Sequence, residues 1–528
     1  MIKNRRMNKF ITSTGVFLNI LLISGSVVAA KWEVTPSVTV REIYSDNINL
    51  EANNEDSDFV TDVTPGITVV GEGKRLNLQF DYRMQGLAYA DDSDRNTVNH
   101  RLNASADSEL IEEHLFFDVS SGISQQLANS RLGASSDAIS GSGNVEDVYR
   151  FSASPNWKQN LGDIASFDLR YTYDQVDTET SGNDSTGNNV DFNISNGPAT
   201  NRLSWDGNYR SSDVDYGDGD QSNTEIASLI IRYRVLRHLS LNVNGTKEEN
   251  EFRGDRGDVE PDDEYYGVGF TWFPSEDFSF TAAYNERKDP LPSEDKNFVS
   301  ANLSWKPTVR TQIVADYGNR FFGDTYNFQF SHETRRTRSA ISYSETTSNF
   351  RQQILTPTIL GSLICPFGAI SVSQCRVAAV GELPGPGEFS PGAVGALLPG
   401  ISDNTYILEQ VNASFSIKGA RNTITVSVND QQRTFVADNQ EEHDFITSLS
   451  WSHDVGPNTT SEVTLRRTDR EFEDNTNDEI LAFSWLLSGK LSEKSTLSFQ
   501  IDLTDKDSDN STNSYEENRV TVSFNKRI

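Results

Sequence analysis

The chain has 528 residues, a formal net charge of −31 and a hydrophobic fraction of 35%. Because globular domains usually reach ~45–50% apolar residues counted with Gly, this composition excludes an ordinary large soluble core. The aromatic fraction of 10%, with 29 Phe, 17 Tyr and 7 Trp, excludes a disordered chain. A transmembrane β-barrel satisfies both facts, since only alternate residues face lipid and aromatic girdles mark its two interfaces.

The first thirty residues have the pattern of a cleaved signal peptide. Basic residues precede a largely apolar run from Phe10 to Val28, and Val28-Ala29-Ala30 offers small residues for cleavage before Lys31. A membrane-anchoring helix is the alternative. No later stretch reaches the ~18 apolar residues of a spanning helix. We therefore expect a signal peptide at 1–30 and an exported domain at 31–528.

Extended runs fill the exported part. Between Asn297 and Lys306, for example, Val299, Ala301, Leu303 and Trp305 alternate with polar residues, as in a strand with one apolar face. We count about 24 such runs, with a range of roughly 20–26. The sequence therefore predicts an all-β fold, an antiparallel up-and-down transmembrane β-barrel.

The joints between runs support the barrel over a soluble sandwich. After even-numbered runs they are short, as at Gly71–Arg75 and Ile111–His114. After odd-numbered runs they are mostly longer and acidic, as at Glu42–Ser57 and Ala128–Val145. Short periplasmic turns opposite longer outer loops are typical of outer-membrane barrels.

One outer joint, at about 352–404, carries a long insertion rich in Pro and Gly. It contains both cysteines, Cys365 and Cys375, and a nearby pair in an exported protein predicts one disulfide. Two free thiols are the alternative. The insertion either folds into the lumen as a constriction or forms an exposed flap, and the sequence does not decide between them.

A recognisable motif spans some forty residues. It consists of Tyr317–Tyr326 (YGNRFFGDTY), Ser331–Thr337 (SHETRRT), Tyr343–Glu345 (YSE) and Arg351–Gln353 (RQQ). This resembles the outer-membrane protein family associated with the PEP-CTERM/exosortase system of Gram-negative bacteria. The resemblance implies an outer-membrane β-barrel linked to exopolysaccharide, without established site residues. The chain departs from many outer-membrane proteins in its last five residues, Phe524–Ile528, which do not end on an aromatic.

Arginines at inward positions are the first candidate functional group. Such residues could line a path for an acidic polymer through charge and bidentate hydrogen bonds. Alternatively, they pair with strand aspartates such as Asp81, Asp168, Asp206, Asp316 and Asp502 as ordinary cross-strand ladders. The lumen-lining candidates are Arg83, Arg101, Arg150, Arg170, Arg210, Arg232, Arg234, Arg320 and Arg466.

A second candidate is a calcium loop near the end of the chain. Asp505, Asp507, Asp509 and Glu516 fall on positions 1, 3, 5 and 12 of a calcium-binding pattern. Position 6 is Asn510 rather than Gly, so an ordinary solvated acidic loop is the alternative. We expect no other cofactor.

Enzyme signals are weak. None of the six His residues has a metal-binding spacing, and no G-x-S-x-G elbow occurs. The negative chain has no basic stripe for nucleic acid.

We therefore expect a non-enzymatic outer-membrane barrel, a channel or accessory factor for exopolysaccharide export. Its expected partners are membrane lipid, lipopolysaccharide, exopolysaccharide and envelope export proteins. A non-conducting barrel that anchors surface polymer is the alternative, and a general porin is the third.

Overall fold

The strands form one closed ring. The structure, a computed structural model, describes residues 31–133, 135, 137–179, 184–196, 202–216, 219–254, 256–290, 295–355, 363–366, 376–377, 388–389 and 404–528. In this part of the chain, 24 long strands each pair antiparallel with the next, and the last pairs with the first. A closed ring leaves no unpaired edge, so the strands satisfy their backbone hydrogen bonds within the sheet.

The strands are long enough to cross a bilayer when tilted, since ~9–11 residues suffice. In chain order they are β1 Lys31–Ser45, β2 Asp58–Glu72, β3 Leu76–Tyr89, β4 Thr97–Ile111, β5 Leu115–Leu127, β6 Val145–Asn160, β7 Ala165–Thr178, β8 Ser185–Asn196, β9 Leu203–Tyr216, β10 Gln221–Leu236, β11 Leu239–Arg253, β12 Asp263–Ser275, β13 Phe278–Arg287, β14 Asn297–Thr308, β15 Thr311–Arg320, β16 Gly323–Glu333, β17 Thr337–Ser348, β18 Tyr406–Lys418, β19 Asn422–Phe435, β20 Glu441–Gly456, β21 Thr459–Glu471, β22 Asn477–Ser492, β23 Ser495–Ser508 and β24 Tyr515–Arg527.

Helical structure is limited to short segments. Helix α1 spans Phe350–Leu355, and 3₁₀ turns occupy Ser93–Arg95 and Ser142–Asn144. Within the insertion, Leu363–Pro366 pairs with Arg376–Val377 and Glu388–Phe389. No helix in the described part of the chain is long and apolar enough to cross a bilayer.

The outer surface of the barrel is apolar. In β10, for example, Leu229, Ile231 and Tyr233 are exposed on the outward face, while Arg232 and Arg234 alternate with them and point inward. All seven Trp residues lie on the outward face, in the half of each strand nearest the short turns. Trp at one level around a barrel is typical of a membrane interface.

The two rims differ as the sequence predicts. The joints 73–75, 112–114 and 237–238 lie on one rim with the two ends of the barrel, and the joints 46–57, 128–144 and 349–405 lie on the other. By the usual arrangement the first rim is periplasmic and the second extracellular. We call the two halves of the interior the periplasmic half and the outer half.

The predicted barrel, its strand count and its even closure are confirmed. Within the motif at Tyr317–Tyr326, the chain turns at Phe321–Phe322, and Gly323 (φ +119°) begins β16. A Gly supplies this positive φ without steric cost. Phe350 begins α1 directly after β17. The predicted signal peptide at 1–30 lies outside the described residues.

Candidate functional site

Buried inward side chains concentrate in the outer half of the barrel. In β1, residues 31–34 at the periplasmic end are all exposed, whereas Arg41, Ile43 and Ser45 towards the outer end are buried. Among the described residues, the inner wall is therefore covered in the outer half and exposed in the periplasmic half. Three described segments cross the outer half and account for contacts between distant strands.

The first crossing segment is the loop 128–144 between β5 and β6. Its Arg131 donates to Thr476 Oγ1 at 2.8 Å and pairs with Asp474 at 2.9 Å. Arg470 Nη1 donates to the carbonyl of Ser130 at 2.7 Å. Because these partners belong to β21 and the loop after it, the segment reaches a distant part of the wall.

Apolar contacts hold the same loop inside the barrel. Ile139 is fully buried and packs with Ile43, Val60 and Leu87 on the inner faces of β1, β2 and β3. Tyr89 Oη donates to the Ile139 carbonyl at 2.9 Å. An apolar residue in an outer loop needs a surface against which to bury, and Ile139 was the available signal in the sequence. We predicted only a long outer loop here and missed its inward fold.

The carboxylate of Asp137, in this loop, lies between two arginines of the wall. Arg41 Nη1 donates to Oδ2 at 2.9 Å and Arg519 Nη1 donates to Oδ1 at 3.0 Å. Ser135 Oγ also donates to Oδ1, at 2.7 Å. Burial by itself would raise the pKa of Asp137, but Arg519 and Arg41 hold it well below its ordinary value. Asp137 is therefore ionised at neutral pH.

The second crossing segment is helix α1, at the start of the long insertion. Its Arg351 forms an ion pair with Asp174 of β7 and donates to the Asp174 carbonyl at 2.8 Å. Phe350 is buried against Val148 and Val176 of β6 and β7. Gly187 faces the Arg351 guanidinium so closely that a Cβ there would overlap it. The described start of the insertion thus folds into the lumen, as one of the two predicted alternatives has it.

The third crossing involves the loop 254–262 between β11 and β12. Arg256 donates to Asp438 at 2.7 Å and to Gln440 at 2.6 Å, and it pairs with Glu473. Its guanidinium lies 3.9 Å from the centre of the Phe435 ring. These partners belong to the loops after β19 and β21, so charge and cation–π contacts join separate parts of the outer rim.

Several ion pairs in the outer half are buried. Asp444 accepts from Arg433 at 2.8 Å and from Arg470 at 2.7 Å, and all three side chains are at most 7% exposed. Lys506 pairs with Asp478 at 2.8 Å in an equally buried position. Buried pairs of this kind are costly to break, because the remaining charge has neither water nor partner.

The periplasmic half has a different inner wall. A groove of about 510 Å³ lies there across β7 to β10. Asn193, Asn208 and Ser228 line it together with Asp168 and Asp206. These amide, hydroxyl and carboxylate groups offer donors and acceptors to a polar solute.

The nine predicted lumen arginines have different surroundings. Five form ion pairs with carboxylates: Arg83 with Asp81, Arg170 with Asp118, Arg210 with Asp191, Arg232 with Asp206 and Arg320 with Glu248. Two of these pairs, Arg210–Asp191 and Arg232–Asp206, join neighbouring strands, as in the cross-strand ladders of the alternative.

The other four have different surroundings. Arg101 donates to Gln125 at 2.9 Å, and Arg234 lies 5.3 Å from the Phe273 ring centre. Arg150 lies beneath Gly122, close to the position that a Cβ would take. Arg466 points inward from β21 and is partly buried. Sequence reasoning did not single out Arg41 or Arg519.

The predicted calcium ligands are distributed over two adjacent strands and a loop. Asp505 and Asp507 are exposed on the outer surface of β23, because the pattern that resembles a loop begins within a strand, and Glu516 of β24 lies directly opposite Asp505. Asp509 accepts from the backbone N–H of Asn477 at 2.8 Å. The described part of the chain holds no convergent group of three or more His, Cys, Asp or Glu. The predicted Cys365–Cys375 disulfide cannot be placed, as Cys375 lies outside the described residues.

Comparison with known proteins concerns the architecture alone. No family model and no curated protein sequence matches the chain. Among solved structures, the chain is similar to the apoprotein form of the FrpB iron transporter of Neisseria meningitidis (F5-1 variant), with a TM-score of 0.47, 11% identity and coverage of 94% of this chain and 81% of that one. It is also similar to OccK2 (OpdF) of Pseudomonas aeruginosa, with a TM-score of 0.34, 10% identity and coverage of 94% and 98%. A third similar structure is the loop L8 deletion mutant of OmpT, an outer membrane protein of Vibrio cholerae, with a TM-score of 0.31, 9% identity and coverage of 95% of this chain and 100% of that one.

The barrel itself defines the class of protein. A closed antiparallel ring with an apolar outer face, a Trp girdle and one rim of short turns is the architecture of an outer-membrane barrel. The protein is therefore a 24-stranded β-barrel of the outer membrane.

Proposed function

We propose that this barrel is a channel for exopolysaccharide export, held in a resting state by inward-folded outer segments. The observation that carries the proposal is the contrast within the lumen: the periplasmic half is open and polar, and the outer half is crossed by three segments. A ring of 24 strands is wider than the 16–18-stranded porins, which already leave an aqueous channel. Such a width suits a polymer better than a small solute.

The contacts of the crossing segments also support a reversible closure. They consist of a few side-chain pairs, such as Arg351–Asp174 and Arg131–Asp474, rather than a separate folded domain. A conformational change needs only that a ligand bind one arrangement better than the other. The resemblance at Tyr317–Gln353 supports exopolysaccharide as the cargo.

The same crossing segments favour a second candidate, a non-conducting barrel that anchors surface polymer. Permanent closure would let the outer loops serve only as a binding surface. A general porin, the third candidate, requires an open outer half without any trigger.

Two measurements separate these functions. If the barrel is a channel, deletion of its gene in the host should trap polymer in the periplasm. If the barrel is an anchor, the same deletion should release finished polymer into the medium. Purified barrel in planar bilayers should be mostly closed and open in bursts for a gated channel. Unaltered polymer on the surface of the deletion strain would overturn both polymer functions.

A further inference from the structure

The pocket around Asp137 has the geometry of a preformed carboxylate site. Each carboxylate oxygen accepts from a different arginine, Oδ2 from Arg41 and Oδ1 from Arg519. The two guanidinium groups come from β1 and β24, which are adjacent at the closure of the barrel. We call this pair of residues, Arg41 and Arg519, the arginine cradle.

The cradle is held in place without Asp137. Asp62 accepts a hydrogen bond from Nε of Arg41 at 2.9 Å and another from Nε2 of Gln85 at 3.0 Å. Asp502 lies 3.6 Å from Nη2 of Arg519. Each arginine therefore has a wall partner that orients it and keeps its Nη1 group directed towards the position of Asp137. A fixed pair of converging donors needs little reorganisation to receive another carboxylate.

The cradle also retains donor capacity. Within the described part of the chain, Nε of Arg519 is buried and has no hydrogen-bond acceptor. A ligand that brings more acceptor oxygens than an aspartate side chain has donors left to use.

We propose that the arginine cradle binds the carboxylate of an acidic sugar, and that Asp137 fills it when no such ligand is present. The ligand class rests on the proposed function, whereas the carboxylate chemistry rests on the cradle itself. Asp62 on Arg41 and Asp502 on Arg519 already place two negative charges beside the site. A singly charged carboxylate therefore fits better than a doubly charged phosphate.

Competition between Asp137 and the ligand follows from this arrangement. The tethered carboxylate lowers the apparent affinity for any free carboxylate, because the cradle is empty only in a fraction of molecules. By the same linkage, a bound sugar acid displaces Asp137 and removes one anchor of the loop 128–144. The site thus couples the presence of an acidic polymer to release of the first crossing segment.

The test uses the refolded full barrel and sodium glucuronate in titration calorimetry. Asp137→Asn removes the internal carboxylate with little change in size, so we expect affinity for glucuronate to rise by about tenfold or more. The double variant Asp137→Asn/Arg519→Gln should lose this gain. Phosphate at equal ionic strength should bind more weakly than glucuronate to Asp137→Asn.

Controls keep the result interpretable. Asp469→Asn removes a carboxylate on the outward face of β21, on the other side of the wall from both the cradle and the loop 128–144, so it should leave glucuronate affinity unchanged. Heat-modifiable migration in electrophoresis checks that each barrel has folded. If Asp137→Asn does not refold, the wild type and Arg519→Gln can be compared instead, by titration with glucuronate at millimolar concentration. Arg519→Gln should then lose the binding that the wild type shows.

The inference would be overturned if wild type and Asp137→Asn bound glucuronate with equal affinity. It would also be overturned if the double variant Asp137→Asn/Arg519→Gln kept the gain in affinity. Tighter binding of phosphate would overturn its carboxylate selectivity. Glucuronate binding in the cradle together with normal polymer release in the deletion strain would keep this inference and reject the export function.

Discussion

Both halves of the lumen contain arginine–aspartate ion pairs, but the pairs differ in their exposure to solvent. In the outer half, Asp444 holds two arginines in a site where each side chain is at most 7% exposed. In the periplasmic half, Arg232 and Asp206 also pair across neighbouring strands, but their side chains are 29% and 52% exposed. The covering segments make the difference, since they exclude water from one set of pairs and leave the other in solvent.

This comparison has an energetic consequence. A solvated pair contributes little because water and salt screen it, whereas a dry pair is costly to break. Charges in the outer half should therefore determine stability and closure, and charges in the periplasmic half should determine ion selectivity. Four changes break or sharpen this distinction.

The largest expected effect is that of Asp444→Asn, which leaves Arg433 and Arg470 without their shared carboxylate. Although Glu442 remains 3.4 Å from Arg433, we expect a loss of roughly 3–5 kcal/mol in the free energy of unfolding. Urea unfolding of the barrel in detergent micelles, followed by Trp fluorescence, measures it. Asp206→Asn makes the same chemical change in the periplasmic half and should cost only ~0–1 kcal/mol. Equal costs would contradict the distinction between the halves.

Arg351→Gln should have the next largest effect, on closure rather than on the barrel wall. It removes the ion pair that docks α1 on β7 and leaves Asp174 buried. A loss of ~3 kcal/mol in docking would raise the undocked fraction about 100-fold. Single-channel recording should then show a higher open probability.

Arg467→Gln makes the same chemical change at an exposed arginine on the outward face of β21 and provides the matched control. It should leave the open probability at its wild-type value. If Arg351→Gln behaves like the control, α1 does not limit conduction.

A smaller effect is expected for Arg232→Gln combined with Arg234→Gln. One charge about 10 Å from an ion in water contributes roughly 0.4 kcal/mol, which is about twofold for that ion. Because the charge attracts anions and repels cations, each removal should shift the anion-to-cation ratio by about fourfold towards cations. Reversal potentials in a salt gradient measure the shift once the channel is open. Arg467→Gln removes an exposed arginine on the outward face and should not change them. Unchanged selectivity in the double variant would remove these two residues from the ion path.

The smallest effect concerns pH. The Thr476 hydroxyl and Arg131 lower the pKa of Asp474 to about 2. A carboxyl with a depressed pKa stabilises the folded state above its ordinary pKa and loses this contribution as pH falls through about 2. We therefore expect the anchor of the loop 128–144 to persist at pH 4.

Hydrogen–deuterium exchange of peptides from 128–144, corrected for intrinsic rates, should give equal protection at pH 7 and pH 4. Loss of protection already at pH 5 would show that another group controls the loop.

Local pattern was sufficient for the barrel wall. Side chains alternate along each strand with a period of two, so Leu229, Ile231 and Tyr233 reveal the lipid face of β10 without knowledge of any other strand. The alternation of short and long joints then orders the strands and orients the two rims. For the same reason, the inward positions of Arg83, Arg232 and the other predicted arginines follow from parity.

The contents of the lumen depend on residues far apart in sequence, and only the tertiary structure decided them. Asp137 meets Arg519 across 382 positions, and Arg351 meets Asp174 across 177. No periodicity encodes such contacts, because they depend on the path of a loop after the ring has closed. Local spacing likewise suggested a calcium loop at Asp505–Glu516, but strand pairing takes precedence there and turns Asp505 and Asp507 outward. The sequence thus determined the wall of this barrel, while the long-range contacts of its loops decided how the lumen is filled.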